Sequence, residues 1–221
     1  MLYSYFNITV TEEWLTFLVA CLLLNKKTGR WQLFKLLMAV ILVAETIGWY
    51  LRTHGHKHEN AIPFNLLMLI TDMFLIWFFV TSSWLTKERR LLSVLMVIFF
   101  VGFFCNLFFF QRPWIYNYYS ETFADILLSI ICALLIYKVL LSDEYVNLLR
   151  LDYFWLATGV LFSSLGSALL YHFSDLLQQY NQNTGFDIGT YINFSLNTLL
   201  YISLVMSFIC RRKTTTSLQV S

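Results

Sequence analysis

Long apolar stretches alternate with short polar segments along the whole chain. Seven stretches of roughly 18–23 residues are mainly apolar, and each is long enough to cross a hydrocarbon core of about 30 Å as a helix that rises about 1.5 Å per residue. They occupy residues 2–24, 31–51, 63–85, 91–110, 120–141, 153–173 and 190–210. The pattern predicts an all-α membrane protein, a seven-transmembrane helix bundle in which residues 1–213 form a single domain and residues 214–221 form a short cytoplasmic tail.

The segments between the predicted spans are short and polar. Residues 25–30 and 87–90 are basic, residues 111–119 are rich in Trp and Tyr, and residues 175–189 predict a polar loop rich in Gln and Asn. Belts of Trp and Tyr are typical of headgroup depth in a bilayer. Pro63 lies near the first turn of the third span, which is a favoured position for proline.

Composition narrows the class of protein. Of the 221 residues, 58% are hydrophobic and 13% are charged, which is too little polar surface to enclose a core in water. The spans use nearly the whole chain and leave no room for a soluble catalytic or DNA-binding domain. The net charge of +2 comes from scattered basic residues, so we expect no nucleic-acid partner. All four cysteines fall within apolar spans, which is typical of small buried side chains.

Basic residues predict the orientation, because cytoplasmic loops of membrane proteins carry an excess of Lys and Arg. With the N-terminus outside and the C-terminus in the cytoplasm, twelve of the fifteen lysines and arginines lie on the cytoplasmic side. The twelve are Lys26, Lys27, Arg30, Lys35, Lys87, Arg89, Arg90, Lys138, Arg150, Arg211, Arg212 and Lys213. The three on the outer side are Arg52, Lys57 and Arg112.

Polar side chains inside the spans cluster in the predicted outer half of the bundle. A charged side chain at the bilayer centre costs about 2.5–3.5 kcal/mol on insertion scales, so such groups normally face a bundle interior or a wet cavity. Residues four apart share one helix face, as Glu121 and Asp125 do. We therefore predict an acidic polar pocket that is open outward and closed below. Its nine predicted residues are Glu12, Glu13, Glu45, Asp72, Glu121, Asp125, His172, Asn193 and Asn197.

The predicted pocket is rich in carboxylates, while Arg52 is the one permanent cation expected nearby. Carboxylates at this depth must either be protonated or meet a cation. A small molecule or a cation is therefore the expected ligand. The alternative is that some of these side chains lie in water at headgroup level, while the others form interhelical hydrogen bonds.

Three histidines follow the second span and are weak candidates for a metal site. His54, His56 and His58 could bind zinc, copper or nickel through neutral imidazoles, and Glu45 lies two to three turns before them. Their spacing matches no recognised zinc signature such as HExxH. A solvated polar loop is the alternative that we favour, so we predict no tightly bound metal and no cofactor.

Short segments of spans 1–3 resemble segments of spans 5–7. Residues 11–14 resemble residues 120–123, and residues 64–65 resemble residues 192–193. Two triplets of helices joined by one further helix form a known plan of transporters with parallel repeats. Matches this short also arise by chance, so they support a transporter only as an alternative.

The run DYFWLATGVLF at residues 152–162, with Glu45 and Gly48 in the second span and an acidic residue in the first, resembles a group of small bacterial seven-span inner-membrane proteins. The resemblance covers most of the chain and implies a multi-pass protein of the bacterial inner (plasma) membrane. It implies no catalytic residues.

Other seven-span families fit less well. Retinal proteins need a lysine in the last helix, and span 7 has none. Seven-span zinc hydrolases related to ceramidases carry histidines in late helices, where only His172 qualifies. The chain is also similar to the seven-helix sensor modules of bacterial signalling proteins, but no kinase or cyclase domain follows Lys213.

These observations favour a non-enzymatic membrane receptor, sensor or accessory subunit that signals through a membrane protein partner. A transporter of small solutes or ions is the first alternative, and a metal-dependent membrane hydrolase is the second. The expected partners are the lipid bilayer, a second membrane protein, and a small-molecule or cation ligand.

Overall fold

A computed structural model of the chain describes residues 2–54, 60–142 and 147–217. Side chains are described from Ile8 to Thr214 within these ranges, apart from Lys26, Lys27 and Arg52. All regular structure in the described residues is helical, with eight α-helices. They are α1 (Leu2–Leu23), α2 (Leu33–Thr53), α3 (Ala61–Val80), α4 (Arg89–Cys105), α5 (Tyr118–Leu140), α6 (Asp152–His172), α7 (Ser174–Thr184) and α8 (Ile188–Ser217).

Six helical segments in the described residues are long and apolar enough to cross a membrane. They are Thr28–Leu51, Ala61–Val80, Arg89–Phe110, Tyr118–Leu140, Asp152–His172 and Ile188–Thr214. Many large apolar side chains on these helices face outward, such as Leu36, Val97 and Ile130, which indicates contact with a lipid bilayer. The prediction of an all-helical, multi-pass membrane protein is therefore confirmed. The seventh span, α1, and the orientation stay predictions.

The prediction of a polar loop over residues 175–189 is wrong for most of its length, because residues 174–184 form α7. Asp175 lies in the first turn, where a negative charge favours the helix macrodipole. Gly185 ends the helix in the left-handed conformation, with φ of 70°, and donates its N–H to the carbonyl oxygen of Asn181 at 2.8 Å. The polar segment therefore forms a helix, because Asp175 favours its start and Gly185 favours its end.

Two asparagines fix the segment between the fourth and fifth spans. Asn65 of α3 donates to the carbonyl oxygens of Pro113 (3.0 Å) and Ile115 (2.9 Å) and accepts from the backbone N–H of Asn117 (2.9 Å). Asn106 begins a π-helical turn, Asn106–Phe110, that extends α4. Its side chain donates to the oxygens of Asn117 and other polar residues there, which ties the end of α4 to the start of α5.

Six of the eight described helices form a closed ring, and α4 and α7 lie outside it. Each helix of the series α1, α2, α3, α5, α6 and α8 packs against the next, and α8 packs against α1 to close the ring. The contacts of α4 are with α3 and α5, and those of α7 are with α6 and α8. Helices α6 and α8 approach each other closely at Gly159, where an added Cβ atom would lie only 2.4 Å from the Cβ of Ser203.

The end of the ring that contains Trp31, called here the Trp31 end, is packed with aromatic rings. The indole of Trp31 contacts the rings of Phe34, Phe78, Tyr153 and Phe208, at centroid distances between 4.9 and 6.5 Å. Four helices or their flanking residues therefore meet around one side chain. The opposite end, which contains the segment 111–117 and α7, is called the Tyr116 end.

Basic residues at the Trp31 end contact specific polar groups. Arg30 donates to the hydroxyl of Thr81 at 2.5 Å and to that of Tyr153, and its guanidinium lies 4.9 Å from the centroid of the Phe78 ring. Arg211 contacts the carboxylate of Asp152 at 3.3 Å. A further ion pair joins Lys138 to Glu88 at 2.5 Å. Three basic side chains, Arg30, Lys138 and Arg211, therefore stabilise this end through contacts with polar groups of the protein.

Candidate functional site

A cavity of about 300 Å³ lies inside the helical ring. Its lining comes from α1, α2, α3, α5, α6 and α8, together with Tyr116 from the segment before α5. No residue of α4 lines it, which agrees with the position of α4 outside the ring. The cavity is therefore formed by six helices that converge on one space in the bundle interior.

Six of the nine residues predicted for the pocket line this cavity. They are Glu13, Glu45, Asp72, Glu121, Asp125 and Asn197. Glu12 instead contacts α8, where the hydroxyl of Thr198 donates to its Oε1 at 2.7 Å. His172 is exposed and its ring contacts Phe173. Asn193 lines a neighbouring cavity, described below.

Glu13 and Glu45, called here the α1/α2 acid pair, lie on one side of the cavity and interact electrostatically with each other. Glu13 is only 3% exposed. The hydroxyl of Tyr201 on α8 donates to its Oε1 at 3.1 Å. Its Oε2 is buried and accepts no hydrogen bond from the described residues. A buried carboxylate oxygen in this state normally requires a donor or a cation.

Asp72, Glu121 and Asp125, called here the α3/α5 acid group, form a second set. Asp125 interacts electrostatically with both Asp72 and Glu121. Asp72 and Asp125 are each 9% exposed, and within the described residues the Oδ2 of each accepts no hydrogen bond. Asp125 lies seven residues into α5, which is about 10 Å along the helix. Asp72 and Asp125 are thus buried inside the bundle, and Asp125 lies about two turns from the start of α5.

Tyr116 connects the α3/α5 acid group to the segment before α5. Its hydroxyl donates to Glu121 Oε1 at 2.8 Å, and its ring lies 6.3 Å from that of Tyr171 on α6. Burial raises the pKa of the Tyr116 phenol above its ordinary value, and the charge of Glu121 raises it further. The phenol therefore stays protonated at neutral pH and remains a neutral donor.

Among the described residues, the cavity lining contains five carboxylates and no lysine, arginine or histidine. The hydrogen bonds that Glu13 and Glu121 receive come from neutral tyrosine hydroxyls. The side chain of Arg52, the cation predicted near the pocket, lies outside the described residues. The described part of the cavity lining is therefore strongly acidic and supplies no positive charge.

Apolar residues close the cavity toward the Trp31 end. Phe34, Leu75, Leu128 and Leu204 line this part, and all four are buried. The Phe34 ring contacts Trp31 and three further rings of the aromatic cluster. Polar groups thus concentrate in the half of the cavity that is nearer the Tyr116 end.

A second cavity, of about 370 Å³, lies between α6, α7 and α8. Ser167 lines both cavities, so the two are adjacent. The lining of the second cavity includes Gln178, Asn181, Thr190 and Asn193. Of these four, only Asn193 is among the nine residues predicted for the pocket. The polar composition of residues 174–189 indicated that they could line a polar site. Because this segment was predicted as a loop, the residues that share one face of α7 could not be identified.

The structure brings no metal site together within its described residues. No group of three or more His, Cys, Asp or Glu side chains lies close enough there to hold a metal ion. Nδ1 of His54 lies 2.9 Å from the carbonyl oxygen of Tyr50, and its imidazole stacks on the Tyr50 ring. His56 and His58 lie outside the described residues.

The chain matches no protein-family model, no curated protein and no solved structure. The acid-lined cavity is therefore the observation from which its function has to be inferred.

Proposed function

We propose that this protein is a membrane receptor, sensor or accessory subunit that binds a small cationic molecule or a cation in the acid-lined cavity and signals through a partner protein. The supporting observation is that four carboxylates of the lining each have one buried oxygen that accepts no hydrogen bond from the described residues. The four are Glu13, Asp72, Glu121 and Asp125. Charged groups inside a membrane protein are costly unless they are paired, and they normally mark functional sites. A bound cation would supply the missing positive charge.

The proposed topology has seven spans, with the N-terminus outside and the C-terminus in the cytoplasm of a bacterial inner membrane. Helix α1 has 22 residues, and about 20 suffice to span a bilayer. Its packing between α2 and α8 in the ring supports a seventh span. In this orientation the Trp31 end, with its basic residues, faces the cytoplasm. The acidic cavity is then nearer the outer surface.

Topology reporters should distinguish the two faces of this arrangement. Cytoplasmic reporters should be active at four fusion sites, after Lys27, Arg90, Arg150 and Lys213. Reporters of the outside should be active at three, near His56, Tyr118 and Gln182. An N-terminal epitope should be accessible from the outside if α1 spans the membrane. An external signal from the Arg90 fusion would contradict the orientation, and a cytoplasmic N-terminus would remove α1 from the spans.

Cation binding should appear as stabilisation of the detergent-solubilised protein. We expect at least one cation from a panel of sodium, calcium and alkylammonium chlorides to raise the melting temperature at matched ionic strength. Replacing chloride by another anion, with the same cation, should leave that rise unchanged. A ligand at 100 times its dissociation constant stabilises a protein by about 2.7 kcal/mol, which thermal unfolding detects readily. Asp125→Asn should reduce the shift.

Glu88→Gln is the matched control, because it also removes one carboxylate but one that contacts Lys138 outside the cavity. It should leave the cation-dependent shift unchanged. A panel in which no cation shifts the melting temperature of the wild-type protein would contradict the proposed function.

A transporter is the second candidate, and the position of α4 favours it. The triplets α1–α2–α3 and α5–α6–α8 complete the ring, while α4 connects them from outside. Transporters with parallel repeats place their substrate between such halves, where this cavity also lies. Time-dependent accumulation of a radiolabelled cation in proteoliposomes would distinguish transport from binding alone.

A further inference from the structure

The carboxylates of the cavity belong to two groups on different helices. The α1/α2 acid pair contains Glu13, and the α3/α5 acid group contains Asp72 and Asp125. Each of these three side chains is more than nine-tenths buried or at that limit, with 3%, 9% and 9% exposed. Each also has one buried oxygen that accepts no hydrogen bond from the described residues. Both groups therefore offer acceptors for a positively charged donor.

The separation of the carboxylates disfavours a single metal ion. Calcium collects six to eight oxygen ligands at about 2.3–2.6 Å, which requires several carboxylates to converge on one point. In the described residues no three acidic, histidine or cysteine side chains converge in this way. The arrangement instead suits a ligand whose positive charges are separated from each other.

Apolar side chains occupy the walls of the same cavity. Ile41 of α2 and Leu67 and Met68 of α3 line it, on the two neighbouring helices that carry Glu45 and Asp72. These side chains can contact methylene groups of a ligand. The volume of about 300 Å³ is at the small end of the range of roughly 300–1,000 Å³ that is typical of small-molecule sites. The walls and the volume both suit a short aliphatic chain.

We propose that the ligand is a linear aliphatic diamine, with one ammonium group at the α1/α2 acid pair and the other at the α3/α5 acid group. Alkyl ammonium groups are charged at neutral pH and carry three N–H donors and no acceptor. They therefore match carboxylate oxygens that lack donors. The inference rests on the proposed cation-binding function and specifies the chemical class of the ligand.

Calorimetric titration of the full chain in detergent at low ionic strength tests this proposal. The probes are 1,4-diaminobutane, 1,6-diaminohexane, n-butylamine and calcium chloride. We expect at least one diamine to bind at least tenfold more tightly than n-butylamine, because a monoamine engages only one acid group. Calcium should bind more weakly than that diamine.

Single substitutions in either group should remove the preference for the diamine. Glu13→Gln in the α1/α2 acid pair and Asp72→Asn in the α3/α5 acid group should each lower diamine affinity to that of n-butylamine. Glu88→Gln, outside the cavity, should retain the wild-type preference. Elution of each variant as a single peak in size-exclusion chromatography shows that it has folded, and the wild-type comparison of amines needs no variant.

Equal affinity of the wild-type protein for n-butylamine and both diamines would overturn the diamine inference while the cation-binding function stands. Tighter binding of calcium than of either diamine would have the same meaning. If neither the amines nor any cation of the earlier panel bound, both the inference and the proposed function would fail.

Discussion

Replacing Trp31 with alanine should lower the free energy of unfolding by roughly 3–5 kcal/mol, the range for removal of a large aromatic side chain from a packed core. Trp31 is 1% exposed, and its indole contacts four other rings at the Trp31 end of the bundle. These rings belong to α2, α3, α6 and α8, so the cavity left by alanine would loosen four helices together. Unfolding of the protein in mild detergent with increasing denaturant measures the change.

Trp49→Ala provides the control for the loss of an indole. Trp49 lies on α2 and is 45% exposed, so nearly half of its surface faces lipid or detergent and not a packed core. We expect it to change the unfolding free energy by less than about 1 kcal/mol. Similar losses of unfolding free energy for both variants would mean that the ring contacts of Trp31 add no stability beyond that of a half-exposed tryptophan.

Much of the fold could be predicted because a bilayer fixes the length of an apolar helix. The predicted fifth span, residues 120–141, is Tyr118–Leu140 in the structure, and the sixth, residues 153–173, is Asp152–His172. Neither boundary differs by more than two residues. A run of apolar residues ended by charges is sufficient to locate such helices.

The arrangement of the helices could not be predicted in the same way. Spans such as α4 are apolar on every side, so periodicity does not reveal which face meets protein and which meets lipid. Asn106, which directly follows α4, donates to side chains of the segment before α5 and of the first turn of α5, and it does not line the acidic cavity. The position of α4 outside the ring follows from tertiary packing that the sequence pattern does not encode.

Depth along a helix explains part of the difference between the predicted and observed pockets. Asn193 and Asn197 share a helix face, as their spacing predicts, but one helical turn separates them by about 6 Å. Asn197 consequently lines the acidic cavity, whereas Asn193 lines the second cavity nearer the Tyr116 end. The shared face was predictable from the spacing, but the boundary between two cavities depends on α7, which was interpreted as a loop.

At a pH high enough to ionise both carboxylates, replacing Asp72 and Asp125 together with asparagine should stabilise the ligand-free protein by about 1–3 kcal/mol, because uncompensated charges in a low-dielectric interior cost several kcal/mol each. Asparagine has nearly the same shape and removes the repulsion between the two carboxylates. The double variant should also lose any stabilisation by 1,4-diaminobutane. Thermal unfolding with and without the diamine measures both effects. Without ligand, the double variant should melt at a higher temperature than the wild-type protein, and the diamine should not raise that temperature further.

Asp152→Asn tests whether this gain comes from the absence of a cation and not from the asparagine itself. Asp152 is also buried, with 5% exposed, but its carboxylate contacts Arg211 at 3.3 Å and accepts the N–H of Tyr153 at 2.8 Å. The same substitution should therefore destabilise the protein, by about 1–2 kcal/mol because Arg211 is partly exposed to solvent. If the double variant of Asp72 and Asp125 were destabilised as well, those carboxylates would be satisfied structural groups. The carboxylates would then carry no uncompensated charge, and the proposed driving force for cation binding in this cavity would be absent.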